Sequence, residues 1–348
     1  MTRTFLQDML EQPDKLEQLV SFYKSNDGGD KLELLSHLGE NKNLIFSGMG
    51  SSLAASRFAA TYLWSVGKQA MYVEASELLH YGMPILNKDS LLVLISQSGE
   101  SVEIKEILEV LPSEITVIGI TSNMRSTLAR KSTVALPLLC GEESTTSSKT
   151  YTASIAVVFL VAQVLAGLDR TDVFRSITNA SRTLLERTKE AVNQHAANKL
   201  LKAKSIHFIG RGPGVSTAIQ GALTFKELVK MQVECMEAAQ FRHGPLETVG
   251  PDTVVIVFAS AGRTESLLLS FATKLQECGA VVFIVKEGIL YEHDSSRAGT
   301  ITAKEGTGNE FASALVDIFP IQVIANSLAE QLGTTGEFKW ITKVTVKQ

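Results

Sequence analysis

Cysteine is scarce in this chain. Cys140, Cys235 and Cys278 are the three cysteines among 348 residues; they stand far apart and form no CxxC pair. A disulfide framework and a zinc cluster are therefore not expected, and the usage suits a reducing cytoplasm. Positive charge is not in excess either: 33 Lys and Arg stand against 37 Asp and Glu, a formal net charge of -4. That balance offers no general basic field for a nucleic-acid partner. Long apolar runs are also missing. The richest, Ile155 to Leu168, is too short to span a bilayer and contains Gln163. The opening stretch, MTRTFLQDMLEQPDKLEQ, turns charged too soon for a secretory signal. These absences predict a cytoplasmic protein with no membrane anchor. What is present, 45% hydrophobic and 20% charged residues, suits a soluble chain with a sizeable core in two domains.

Helical spacing of Phe5, Met9, Leu16, Leu19 and Val20 predicts helices over residues 1–40, with a break at Pro13 and a loop at SNDGGD, Ser25 to Asp30. From Leu44 onward, short apolar runs alternate with helical patterns. Strands are expected at Leu44–Phe46, Met71–Val73, Leu91–Ile95, Ile115–Ile120 and Val134–Leu138, and a long helix over Tyr151–Leu168. That alternation predicts an α/β fold, a parallel sheet covered by helices on both faces. Residues 171–200 read as a helical connector. The pattern then restarts, with strands at Ser205–Ile209, Asp252–Phe258 and Ala280–Val285.

The restart is an internal repeat. Gly48 and Gly50 recur 162 residues on as Gly210 and Gly212, and Asp89 and Gly99 recur 163 residues on as Asp252 and Gly262. Three strand–loop–helix units in one order imply two copies of one domain, 41–170 and 201–330, with a C-terminal tail at 331–348. The copies differ in chemistry. Ser96, Gln97 and Ser98 of the first correspond to Ala259, Ser260 and Ala261 of the second.

The loop Ser96-Gln97-Ser98-Gly99-Glu100-Ser101 lies between a strand and a helix. Free N–H groups and the helix dipole favour an anion there, and the hydroxyls can donate to phosphate oxygens. Gly48-Met49-Gly50-Ser51-Ser52 also joins a strand to a helix. Leu53 stands where the dinucleotide fingerprint requires its last glycine, which argues against NAD. The run Thr145 to Lys149 sets four hydroxyls and a cation before a helix, more than a cap needs, and Ser147 and Lys149 become candidate ligand contacts. Glu227, on a helix, and His243, sixteen residues later in a loop, supply a carboxylate and an imidazole, the minimum for moving protons on a sugar.

The motifs GMGSS, ISQSGES, STTSSKTY, IGRGPG, ALTFKELVKMQVE, FRHGP and KWITKVTV resemble those of the double-SIS (sugar isomerase) family over essentially the whole chain. That family includes the isomerase half of glucosamine-6-phosphate synthase and stand-alone sugar-phosphate isomerases, deaminases and fructosamine-6-phosphate deglycases. The resemblance implies two tandem SIS domains, each a flavodoxin-like three-layer sandwich. It implies that Ser96, Gln97, Ser98 and Ser101 hold a sugar phosphate, with Gly50, Ser52, Ser147 and Lys149 nearby. Glu227 would be the base that moves a proton between C1 and C2, and His243 the residue that opens the sugar ring, often contributed by a neighbouring subunit. Lys343 would approach the open-chain carbonyl, and Arg211 would support the site. The resemblance implies no metal and no redox cofactor, and a homodimer or a dimer of dimers. Thr2 stands where a glutaminase domain would carry its cysteine, so no glutaminase activity is expected. Thr224 and Gln240 also replace a lysine and a glutamate of the synthase.

Overall fold

The computed structural model describes residues 3–144, 146–294, 309–334 and 336–340. The chain divides into two compact units. One is built on Asp14–Thr178, the other on Asn179–Glu337 together with the N-terminal residues up to Pro13.

Helices α1 (Phe5–Leu10), α2 (Gln12–Lys24) and α3 (Asn26–Leu38) come first. They are followed by β1 (Asn43–Gly48), α4 (Ser51–Ser65), β2 (Ala70–Glu74), α5 (Ala75–Glu77), β3 (Ser90–Ile95), α6 (Val102–Val110), β4 (Thr116–Thr121), α7 (Thr127–Lys131), β5 (Val134–Pro137) and α8 (Lys149–Leu165). The five strands form one parallel sheet in the order β2-β1-β3-β4-β5. Helices cover both faces of such a sheet, so its central strands read as unbroken apolar runs. All six residues of β3 are buried.

From α9 (Thr171–Arg187), which contains the boundary at Thr178, the second unit continues through α10 (Gln194–Lys202), β6 (Ser205–Gly210), α11 (Pro213–Thr224), β7 (Glu234–Glu237), α12 (Ala238–Phe241), β8 (Thr253–Phe258), α13 (Glu265–Glu277), β9 (Val281–Lys286), β10 (Ile289–Glu292), α14 (Glu310–Ser313) and α15 (Phe319–Leu332). Its sheet order is β10-β9-β8-β6-β7. All pairs are parallel except β10 with β9. The α/β class and the paired parallel sheets expected from the sequence are thus present. The backbone repeats as well. Gly50 opens α4 at φ 53 and ψ -121, and Gly212 opens α11 at φ 52 and ψ -128. Side chains other than glycine rarely adopt that conformation.

Three expectations need correction. The SNDGGD segment is not a loop: Ser25 is the N-cap of α3 and accepts from the Gly28 N–H. Gly28 permits close helix packing, since a Cβ there would lie 2.6 Å from Tyr23 Cα and collide with the Phe22 carbonyl. The break expected at Pro13 falls at Glu11, and Pro13 sits in the first turn of α2, where its missing N–H costs nothing. Strands β7 and β10 have no forecast counterpart. Each has four residues on a sheet edge, too short to show a period.

Substituting the two adjacent glycines separates packing from propensity. Gly28→Ala is expected to destabilise the protein by about 1–3 kcal/mol through overpacking. At Gly29 a Cβ meets nothing within 4 Å. Gly29→Ala should therefore gain about 0.5–1 kcal/mol from the lower entropy cost of alanine in a helix. Urea denaturation of both variants checks the pair.

Candidate active site

β1 and β3 lie side by side, with Gly48 opposite Ile95. From β1 the chain crosses to β2 on one side; from β3 it crosses to β4 on the other. Ligands bind at such a switch point, beyond the carboxyl ends of the strands. The GMGSS and SQSGES loops both leave the sheet there. A Cβ on Gly48 would sit 2.7 Å from Ser52 Cβ and 2.9 Å from the Ile95 carbonyl, so glycine lets Ser52 close over the end of β3.

The SQSGES loop is held by its own polar groups. The Ser96 N–H donates to the Ile120 carbonyl at 3.0 Å, and the Gln97 carbonyl accepts from the Ser122 N–H at 3.0 Å and from Thr121 Oγ1 at 3.1 Å. Ser96 Oγ accepts the Gly99 N–H at 3.1 Å and lies 2.9 Å from Ser101 Oγ. Ser98 Oγ accepts the Glu100 N–H at 3.1 Å. Gly99 turns the chain at φ 65. Ser101 occupies the N-cap position of α6, yet its side chain makes no capping bond. The head of α6 therefore carries no side-chain cap, and its N–H groups and dipole favour an anion.

The one acid of the loop is committed elsewhere. The Glu100 carboxylate accepts from the Thr127 N–H at 2.6 Å and from Thr127 Oγ1 at 3.1 Å. The bond from the Thr127 backbone is the main reason its carboxyl lies below the usual range. A second acid serves the head of α8. Glu143 Oε1 accepts from the N–H groups of Ser148 and Thr150, both at 2.9 Å, and from Ser148 Oγ at 3.1 Å. Ser147, on that approach, is half-buried, whereas Lys149 begins α8 and is only 1% exposed. The α8 head is tied to the SQSGES loop: Thr150 Oγ1 lies 3.4 Å from Cys140 Sγ, which lies 2.7 Å from Ser122 Oγ. Burial pushes the Cys140 thiol up.

In the second unit, α11 passes into a π-helical turn, Phe225–Val229, that carries Glu227 half-buried. Inserted π turns re-aim side chains and often mark functional sites. This one is pinned by buried Phe225, edge-on to Phe208 at 5.3 Å, and closed by Lys230 at φ 64. Thr224 is buried and donates to the Gln220 carbonyl at 3.0 Å. Arg211 Nε lies 3.3 Å from Glu237 Oε1. The other oxygen of Glu237 accepts from the N–H groups of Ala239 at 2.8 Å and Gln240 at 3.0 Å, capping α12. His243 follows α12 and is exposed. Glu100, Glu143 and Glu237 were not singled out from the sequence. A carboxylate that caps a neighbouring helix looks there like any surface charge. Lys343 lies outside the described residues.

The corresponding loop of the second unit is filled by acids. Glu310 Oε2 accepts the Arg263 N–H at 3.1 Å, and a Cβ on Gly262 would sit 2.7 Å from Glu310 Cβ. Ser260 donates to Asp317, which also accepts the Gly288 N–H at 2.8 Å. Burial pushes the Asp317 carboxyl up to about 7. Among the described residues no cluster of three or more His, Cys, Asp or Glu could hold a metal, and no helix is long and apolar enough to cross a membrane.

A model of the SIS domain matches residues 37–163 and 199–328. The glutamine–fructose-6-phosphate aminotransferase [isomerizing] of Halalkalibacterium halodurans is 26% identical over 332 residues, which cover 92% of this chain and 54% of that protein. The chain thus spans about half the length of the curated relatives it matches. Solved structures share the fold, three of them as follows. The C-terminal domain of glucosamine-fructose-6-phosphate aminotransferase from Francisella tularensis superposes with a TM-score of 0.82 at 20% identity, covering 96% of this chain and 97% of that one. Tagatose-6-phosphate ketose/aldose isomerase from Escherichia coli gives 0.77 at 20%, covering 99% and 97%. Glucosamine-6-phosphate deaminase from Thermotoga maritima gives 0.75 at 20%, covering 97% and 100%.

Two measurements probe this geometry. A Cβ at Gly99 would lie 2.5 Å from Ser126 Cβ and 2.9 Å from Thr121 Oγ1, at a φ of 65. Gly99→Ala should therefore cost about 1–3 kcal/mol by denaturant titration. Asp317 titrates near 7 when folded and near ~4 when unfolded. Between those values the folded state keeps a proton that the unfolded state has released, so stability falls as pH rises. Asp317→Asn should remove that decline, seen as a flatter midpoint-versus-pH curve from roughly pH 4 to 7.

Proposed function

The chain belongs to the SIS domain family, and from that premise we propose that it is an enzyme acting on a 6-phosphorylated sugar. The reaction is aldose–ketose isomerisation, or isomerisation with loss of the amino group of an amino-sugar phosphate, through enediol-type proton transfer. The observation that carries this reading is the head of α6, free of a side-chain cap and faced by Ser96 and Ser101 at a switch point. Hydroxyls and backbone N–H groups suit a dianion that must be gripped and released.

In this reading Ser96, Gln97, Ser98 and Ser101 hold the phosphate, with Gly50, Ser52, Ser147 and Lys149 completing the surround. Glu227 takes the proton from the carbon beside the carbonyl and returns it to the neighbouring carbon. His243 moves the proton that opens the ring, and its exposure suits a group shared with a second copy in a homodimer. Lys343 approaches the open-chain carbonyl, and Arg211 supports the site through Glu237. Proton transfer of this kind needs neither metal nor redox cofactor, and the protein works in the cytoplasm.

The test is turnover by the wild type and Glu227→Gln on a panel of 6-phosphorylated aldoses, ketoses, amino sugars and fructose–amino-acid conjugates. The wild type should convert at least one, and Glu227→Gln should lower kcat about 10²–10⁴-fold, the usual worth of a positioned base. Sugar-phosphate binding without turnover on any of them would make the protein a sensor. Release of an amino acid from a conjugate would make it a deglycase.

A further inference from the structure

We propose that Glu237 is a positioning residue for His243, holding the imidazole in place by capping the short helix before it while Arg211 fixes the direction of its carboxylate. The inference rests on the role given to His243 above.

The placement begins with strand register. Glu237 ends β7 directly opposite Gly210, the last residue of β6, so it stands beside Arg211. Its two oxygens are divided: Oε1 faces Arg211 Nε at 3.3 Å, and Oε2 takes the N–H groups of Ala239 and Gln240 at 2.8 and 3.0 Å. Helix α12 has four residues, too few to hold itself. It is pinned at its head by Glu237 and at its tail by Phe241, which is fully buried and edge-on to His207 at 5.1 Å. His243 comes two residues later, its N–H on the Gln240 carbonyl at 2.9 Å. The backbone that carries the imidazole is thus set by α12.

The first copy provides an internal control. Glu74 stands opposite Gly48 in the same register and at the same N-cap position, with φ -61 and ψ 139 against -70 and 136 for Glu237. His80 follows Glu74 by six residues, as His243 follows Glu237. There, however, Met49 occupies the place of Arg211, the glutamate makes no capping bond, and the chain runs into a π turn, Leu78–Gly82. The arginine and the cap occur together only in the copy that carries His243.

The experiment measures kcat, KM and the pH profile of kcat for Glu237→Ala, Glu237→Gln, Glu237→Asp and His243→Ala, with the member of the panel above that the wild type turns over fastest. Amide hydrogen exchange over residues 238–243 is read in parallel. Glu237→Ala should lower kcat about 10–100-fold with KM within about threefold, alter the limb of the pH profile that His243→Ala abolishes, and speed exchange at Ala239 and Gln240. Glu237→Asp should recover at least about tenfold of the lost kcat. Unchanged kcat and pH profile in both Glu237→Ala and Glu237→Gln overturns the inference. So does a loss of kcat that tracks lost thermal stability and is not rescued by aspartate. If His243→Ala keeps full turnover, the role of His243 falls and this inference with it; if His243→Ala is impaired and Glu237→Ala is not, this inference alone falls.

Discussion

Close approach of backbone to backbone at the carboxyl end of each sheet governs the rest. Gly48 leaves no room for a side chain between the Ile95 carbonyl and Ser52, and Gly210 is as tightly set against Gly214. Gly214 in turn faces the Phe258 carbonyl, 3.2 Å from where its Cβ would be. These contacts bring the first turn of α4 down onto β3 and that of α11 onto β8. Helix heads then lie beside loop backbones at the switch point of each sheet, where dipoles and N–H groups gather.

Identical geometry carries opposite chemistry in the two copies. In the first, Ser96 and Ser101 share a hydrogen bond over the loop, and Glu100 is turned to Thr127. In the second, Glu310 takes the Arg263 N–H and Asp317 takes Ser260. An anion brought to the second loop meets carboxylates already bonded to its donors. A carboxylate already on those donors opposes a second negative charge beside it. The duplicated loops thus differ in lining, hydroxyls in the first and the acids at 310 and 317 in the second, which is why the proposed function assigns the dianion to the first.

Much of this was legible in the sequence because it depends on composition over short windows. Buried parallel strands read as apolar runs, and the glycine pairs at 48/50 and 210/212 repeat at a fixed offset. What stayed hidden depends on how particular side chains and backbones meet once folded. SNDGGD has the makeup of a loop, and only its packing against Phe22 and Tyr23 shows why a helix wants glycine there. The π turn under Glu227 shifts the helical period by one residue, less than a pattern of five residues can reveal. Glu143 and Glu237 accept from amides a few residues further along, at the heads of α8 and α12, and a glutamate placed so carries no distinctive sequence pattern.

The distribution of caps is the feature that ties local structure to the proposed chemistry. Around the first sheet, α7 is capped by Ser126 and α8 is served by Glu143. α4 and α6, which flank the switch point, have no side-chain cap. A helix head needs some acceptor for its N–H groups. Where the chain supplies a carboxylate, a ligand would have to displace it; where it supplies none, water or a ligand phosphate takes the place. Both heads left open stand where Ser52 and Ser101 can add their hydroxyls. A phosphate bound there completes hydrogen bonding that the fold leaves incomplete. The same allocation accounts for three acids near these loops: Glu100 is held at the head of α7, Glu143 at the head of α8 and Glu237 at the head of α12.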